Sequence, residues 1–170
     1  MSLQYRYQGQ AVGDTKPDVN LTGDPAVDQV TLRAAGYAGG KIMTQINSLT
    51  AGRGPVIVPL DGSDAALPVG TLINGAGNYA ESIGPSGSGL MPVVRALPVF
   101  DLKNDPIDPD CFEAAPTTPY TIGCPLFADG TAAHVGRWTS DSPKAGAFVC
   151  GICDHVPTAA EPWLGVKQLF

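Results

Sequence analysis

Charge is the scarcest property of this chain. Only 15% of its residues are Asp, Glu, Lys or Arg, against about 25% in typical soluble domains. Ten of the 170 residues are basic, and they are scattered. Phosphate contacts need clustered Lys or Arg, so these residues and the net charge of −6 exclude nucleic acid as an expected partner. No apolar run reaches the roughly 18 residues that a membrane helix requires, and Met1 to Tyr7 (MSLQYRY) lacks the basic-then-apolar plan of a signal peptide. No membrane partner is expected, and synthesis in a cytoplasm is. Asn20-Leu21-Thr22 matches a glycosylation sequon but has no secretory context to give it meaning.

Recognisable chemistry is equally sparse. The two histidines, His134 and His155, show no metal-ligand spacing, and no nucleophile with a base or paired carboxylates stands out. The run from Asp101 to Asp110 (DLKNDPIDPD) resembles a calcium loop superficially. Its Asp101, Asp105, Asp108 and Asp110 are interrupted by Pro106 and Pro109, and the glycine and closing glutamate of an EF-hand are missing. The glycine-rich stretch Gly84 to Gly89 has no Gly-Lys-Ser/Thr and no strand-loop-helix frame around it. Cys150 and Cys153 form a C-x-x-C, but in an apolar, β-branched segment that reads as a strand they point to opposite faces. All four cysteines, Cys111, Cys124, Cys150 and Cys153, are therefore expected to be small buried hydrophobes in a reducing compartment. No catalytic residue, metal or cofactor is expected.

What the chain does have is punctuation: 21 glycines and 16 prolines, spread among apolar runs. Residues 1–23 are polar with isolated apolar anchors and read as an extended arm that cannot form a core alone. The anchors are Tyr5, Tyr7, Val12 and Val19, and alternation at Tyr5 and Tyr7 suits strand addition to a partner's sheet edge. Residues 24–170 read as one domain. Asp24-Pro25 predicts a helix start, with Val27, Val30 and Ala34 at helical spacing and Gly36 at the end. From Lys41 on, the period becomes two, with KIMTQI, VIVPL before Asp61-Gly62 and LPVGTLI before Asn74-Gly75 as strands between turns. Asp129-Gly130 predicts a two-residue hairpin with Leu126 opposite Ala133 and Cys124 opposite Val135. One face of that hairpin (Ile122, Cys124, Leu126, Ala133, Val135) belongs to the core. The other carries Thr121, Phe127, His134 and Trp138, with Phe127 and Trp138 available to a partner and His134 as a packing or hydrogen-bonding residue. Leu164, Val166 and Phe170 share one parity in a last strand. Short strands at this spacing make the fold all-β: a sandwich, jelly roll or small barrel with an N-terminal arm and at most one or two short helices.

The C-terminal segments TIGCPLFADGTAAHVGRW and KAGAFVCGICDHVPTAAEPWLGVKQLF resemble the decoration or cement proteins of tailed-bacteriophage capsids, over about 60 residues. The resemblance implies a non-enzymatic virion protein on the outer capsid surface. Such a protein binds the major capsid protein, bridges and stabilises neighbouring capsomers, and forms homodimers or homotrimers at local symmetry axes. Deleting residues 1–20 would then weaken attachment and leave the domain folded. The alternative is a carbohydrate- or ligand-binding β module of a phage fibre, carried by Tyr79, Tyr120, Trp138 and Trp163.

Overall fold

The structure, a computed structural model, describes residues 3–7, 10–15, 17–22, 24–47, 55–62, 67–72, 91–95, 99–106 and 109–170. The glycine-rich stretch within 76–90, Asn74-Gly75, Tyr79 and Asp108 lie outside the described residues, as do the side chains of Tyr5, Tyr7 and Val12. The chain forms two antiparallel sheets with a single α-helix among the described residues, so the fold is all-β.

In chain order the elements are β1 (Leu3–Tyr7), β2 (Gln10–Thr15), α1 (Pro25–Ala34), β3 (Ile42–Asn47), β4 (Pro55–Pro59) and β5 (Pro68–Leu72). There follow β6 (Met91–Arg95), β7 (Val99–Leu102), β8 (Pro125–Ala128), β9 (Trp138–Thr139), β10 (Gly151–His155) and β11 (Leu164–Gln168). The six-stranded sheet has the order β1-β7-β11-β10-β8-β9, and the five-stranded sheet β2-β6-β5-β3-β4.

The segment expected to be an extended arm contributes one strand to each sheet. β1 pairs with β7, placing Tyr5 opposite Phe100, and β2 pairs with β6, placing Val12 opposite Val93. Strand addition does occur, but to the edges of the chain's own sheets, where open N–H and C=O groups accept a further strand. Val19 packs against the smaller of the two cores.

The helix begins and ends where the residues require. The Asp24 side chain accepts from the Ala26 amide, and Pro25 supplies the first helical position. At the other end Tyr37 N donates to Leu32 O and Gly36 N to Arg33 O. This double closure needs the left-handed backbone of Gly36, at φ +81°. The inward side of the helix is set by Leu32 and Asp28. Leu32 and Asp28 face inward and are fully buried, while Val27 and Val30 are 47% and 67% exposed. Periodicity defines a stripe and not which way it turns. Here Asp28 Oδ1 accepts from the Thr22 amide and hydroxyl at 2.7 and 2.8 Å, bonds available only on the inner side.

Two cores result. Leu32, Tyr37, Met43, Ile57 and Leu72 fill the smaller one beside α1. The larger gathers Phe100, Leu102, Phe112, Tyr120, Leu126, Trp138, Leu164, Val166 and their neighbours. Trp138 is fully buried, set edge-on to Phe100 and stacked with Phe170, and its indole N–H donates to Gly40 O at 2.8 Å. The last strand has the expected parity: Leu164, Val166 and Gln168 are buried, and Gln168 bonds Thr71 Oγ1 of the other sheet.

The expected two-residue hairpin at Asp129-Gly130 is replaced by a wider loop. β8 pairs with β9 through Phe127 opposite Thr139 and Ala128 opposite Trp138, and Ala132–His134 forms a 3-10 turn between them. Consequently Ile122 is 77% exposed and Ala133 exposed, so the predicted apolar face does not exist as such. The wider loop satisfies backbone groups of the seam between the sheets. Gly136 N donates to Leu60 O, Ile42 N to Gly136 O, and Gly62 N to Asp129 O. At Gly62 a Cβ would lie 1.9 Å from Ala128 O, so this close approach admits glycine alone.

Candidate functional site

A cleft of about 470 Å³ opens between the C-terminal end of α1 and the 3-10 turn, lined by Arg33, Ala34, Gly36, Lys41, Asp110 and Ala133 among others. Alanines and Gly36 make up much of its lining. The outward stripe of α1, Val27, Val30 and Ala34, leads to its rim, and Arg33 is exposed beside it.

The polar wall of the cleft is a charge network. Asp110 Oδ2 accepts from Lys41 Nζ at 2.9 Å and lies 3.0 Å from His134 Nδ1, while Oδ1 accepts from Arg137 Nη1 at 3.2 Å. Arg137 also donates from Nε to Asp129 Oδ2 at 2.8 Å, donates again from Nη2 to the same carboxylate, and lies 3.4 Å from Glu113 Oε1. Burial by itself raises the Asp110 pKa, but the bond and charge of Lys41, the His134 bond and the Arg137 charge outweigh it and hold the carboxyl below its ordinary value. The same balance at Asp129, burial against the Thr131 amide and hydroxyl and then Arg137, again ends below the ordinary range. Arg137 is raised: its burial opposes the charge, and Asp129, Asp110 and Glu113 overcome that. Lys41 is nearly buried, so Asp110 is the partner that makes its burial tolerable.

The Asp110–His134 pair has the form of the outer half of a catalytic dyad. The bond from His134 to Asp110 ties the 3-10 turn to the loop before Cys111. A second depression of about 300 Å³ carries Glu113, Asp129 and Asp141. Their oxygens are already taken by Thr139 Oγ1, the Thr131 amide and Arg137, and the Thr117 and Thr118 amides. Among the described residues no three His, Cys, Asp or Glu side chains converge as metal ligands, and no helix is long and apolar enough to cross a membrane.

The chain matches no family model, no curated protein and no solved structure.

Of the predicted partner-binding residues, Val19, Phe127 and Trp138 have described side chains, and these three do not form one exposed surface. Trp138 is at the centre of the larger core and Phe127 is 8% exposed, so neither is an exposed aromatic. Trp138 is enclosed by Phe100 and Phe170, with the backbone bridge from Phe112 alongside. Tyr120 is buried too, with its hydroxyl donating to Glu113 O at 2.9 Å. Trp163 lies under the Lys103 ammonium at 5.6 Å. Val19 serves the smaller core. Val27 and Val30 on α1 expose apolar groups, as does Ile122 at the turn before β8, which the expected hairpin placed in the core. The Lys41–Asp110 contact spans 69 positions, and no local signal announces it.

Proposed function

We propose that the protein is a non-enzymatic capsid decoration protein of a tailed bacteriophage, which docks on the outer surface of the major capsid protein and braces neighbouring capsomers. The observation that carries a protein-binding role is the outward stripe of α1. Val27 and Val30 stay in solvent on a helix whose core contacts are made by Leu32 and Asp28. An apolar stripe beside a cleft, on a chain poor in charge, suits a protein surface, since interface cores are depleted in Lys, Glu and Asp. The resemblance of the C-terminal segments supplies the capsid as the partner. Repetition around a symmetric shell lets moderate affinity per copy suffice.

The test is the copy number of this chain relative to the shell subunit in purified particles, measured by quantitative mass spectrometry. A ratio near one, or a fixed symmetric fraction, supports the role, and absence or a handful of copies overturns it. In a reattachment assay with stripped shells, the double substitution Val27→Ser with Val30→Ser should lower occupancy about tenfold, the effect of losing roughly 1.4 kcal/mol per site. Its unfolding midpoint should stay within about 0.5 kcal/mol of the parent. Unchanged occupancy would remove α1 from the interface.

A further inference from the structure

The four cysteines are free thiols, but their surroundings differ. Cys111 Sγ lies 3.0 Å from Gly39 O, and Cys150 Sγ 3.6 Å from Phe148 O. Cys124 and Cys153 face each other. β8 and β10 pair with Leu126 opposite Gly151 and Pro125 opposite Ile152, and the same register, continued by one residue, sets Cys124 opposite Cys153. The backbone agrees: Cys153 N donates to Cys124 O at 2.9 Å, and Gly123 N to Cys153 O at 2.8 Å. The two side chains are neighbours, and both belong to the larger core or pack on it. Directly opposed residues of an antiparallel pair bring their Cβ atoms to about 4.5–5.5 Å, close to the separation that a disulfide spans. Cys124 is partly exposed and Cys153 is buried, which gives one thiol that a reagent reaches and one that only Cys124 reaches.

We propose that Cys124 and Cys153 form a site of oxidative modification, closing an intrachain disulfide when the folded protein meets a small-molecule disulfide such as oxidised glutathione. The Cys124 thiolate attacks one glutathione sulfur, the glutathione S–S bond breaks, and one glutathione thiolate leaves. The Cys153 thiolate then attacks Cys124 Sγ, the mixed disulfide breaks, and the second glutathione thiolate leaves. The protein loses two electrons and two protons, and glutathione disulfide takes them up as two thiols. Burial, and then the neighbouring Cys124, push the Cys153 thiol up to about 12, so the second step is slow at neutral pH and accelerates as the medium becomes alkaline. The bond closes a loop over residues 124–153 that holds β8, the 3-10 turn and β9. The inference stands on thiol geometry and is independent of the capsid role.

The full chain is incubated with oxidised glutathione at pH 8.5, its remaining thiols are alkylated, and it is digested without reductant for mass spectrometry. A peptide pair joined through Cys124 and Cys153, with Cys111 and Cys150 alkylated, is expected, together with a Tm rise of roughly 5 °C that dithiothreitol reverses. In Cys124→Ser the joined pair should vanish, and in Cys153→Ser a glutathione adduct should accumulate on Cys124. Four alkylated thiols after oxidation, a stable glutathione adduct on Cys124 of the parent chain, or a link through a different pair would each overturn the proposal. Because Cys124 is partly exposed, Cys124→Ser keeps the test valid should Cys153→Ser fail to fold.

Discussion

The two sheets are built to different standards of packing. The six-stranded sheet closes on a core with Phe100, Phe112, Tyr120 and Trp138, and its loops are fastened by the Asp110–Arg137–Asp129 network. Beside α1, the described core of the five-stranded sheet gathers Leu32, Tyr37, Met43, Ile57 and Leu72, with the Tyr37 hydroxyl donating to Ile57 O at 2.6 Å. The region with the smaller core is also the one that leaves Val27 and Val30 in solvent. Those valines take no part in the described core of that region. The comparison sets an aromatic core fastened by a charge network against a helix that turns Leu32 inward and presents Val27 and Val30 outward.

The contrast is most easily broken at Trp138. Trp138→Ala removes the centre of the larger core and one bond across the seam, and should cost about 3–5 kcal/mol, read as a lowered urea midpoint. A loss near 1 kcal/mol would mean that the six-stranded sheet does not dominate stability. Leu32→Ala in the smaller core should cost about 2–4 kcal/mol, and it sharpens the comparison. Both tryptophans, Trp138 and Trp163, lie in the region of the six-stranded sheet, so their fluorescence reports that region alone. Amide exchange in α1 and β3–β5 should accelerate with the fluorescence midpoint little changed. A parallel fall of both would show one cooperative unit.

The smallest effect expected is on acid sensitivity. Asp110 and Asp129 have folded pKa values below the ordinary carboxylate value of about 3.9. Their stabilisation is complete above that value and is lost as pH falls through the lower folded values. Unfolding midpoints should hence be flat between pH 5 and 7 on these groups' account and drop below about pH 4. Asp110→Asn should flatten the drop. An unaltered slope would mean that the network contributes no pH dependence.

Deleting residues 1–20 now has a different expected outcome from the one that an arm implies. The deletion removes an edge strand from each sheet. It should lower stability as well as any attachment, so it no longer isolates a binding role.

Much of the fold was legible because its signals are local. The Asp24 cap, the Gly36 closure and the strand segments ending at Asp61-Gly62 each depend on a few consecutive residues whose backbone preferences need no distant partner. The alternation of Leu164 and Val166 is of the same kind. The hairpin at Asp129-Gly130 failed for the opposite reason. Asp129 and Gly136 make bonds to Gly62, Leu60 and Ile42 far away in the chain, and those bonds outweigh the preference of a two-residue turn. The candidate surface was not legible because a stripe of valines carries no direction until Asp28 finds Thr22 and Leu32 finds the smaller core.

Composition, turn chemistry and side-chain period therefore determined an all-β chain with one short capped helix, since each is set by interactions within a few residues. Tertiary structure alone decided which faces turn inward, that Asp110 gathers Lys41, His134 and Arg137, and that Cys124 meets Cys153. Those pairings depend on strand order and register, which arise from the summed burial of the whole chain and leave no trace in local spacing.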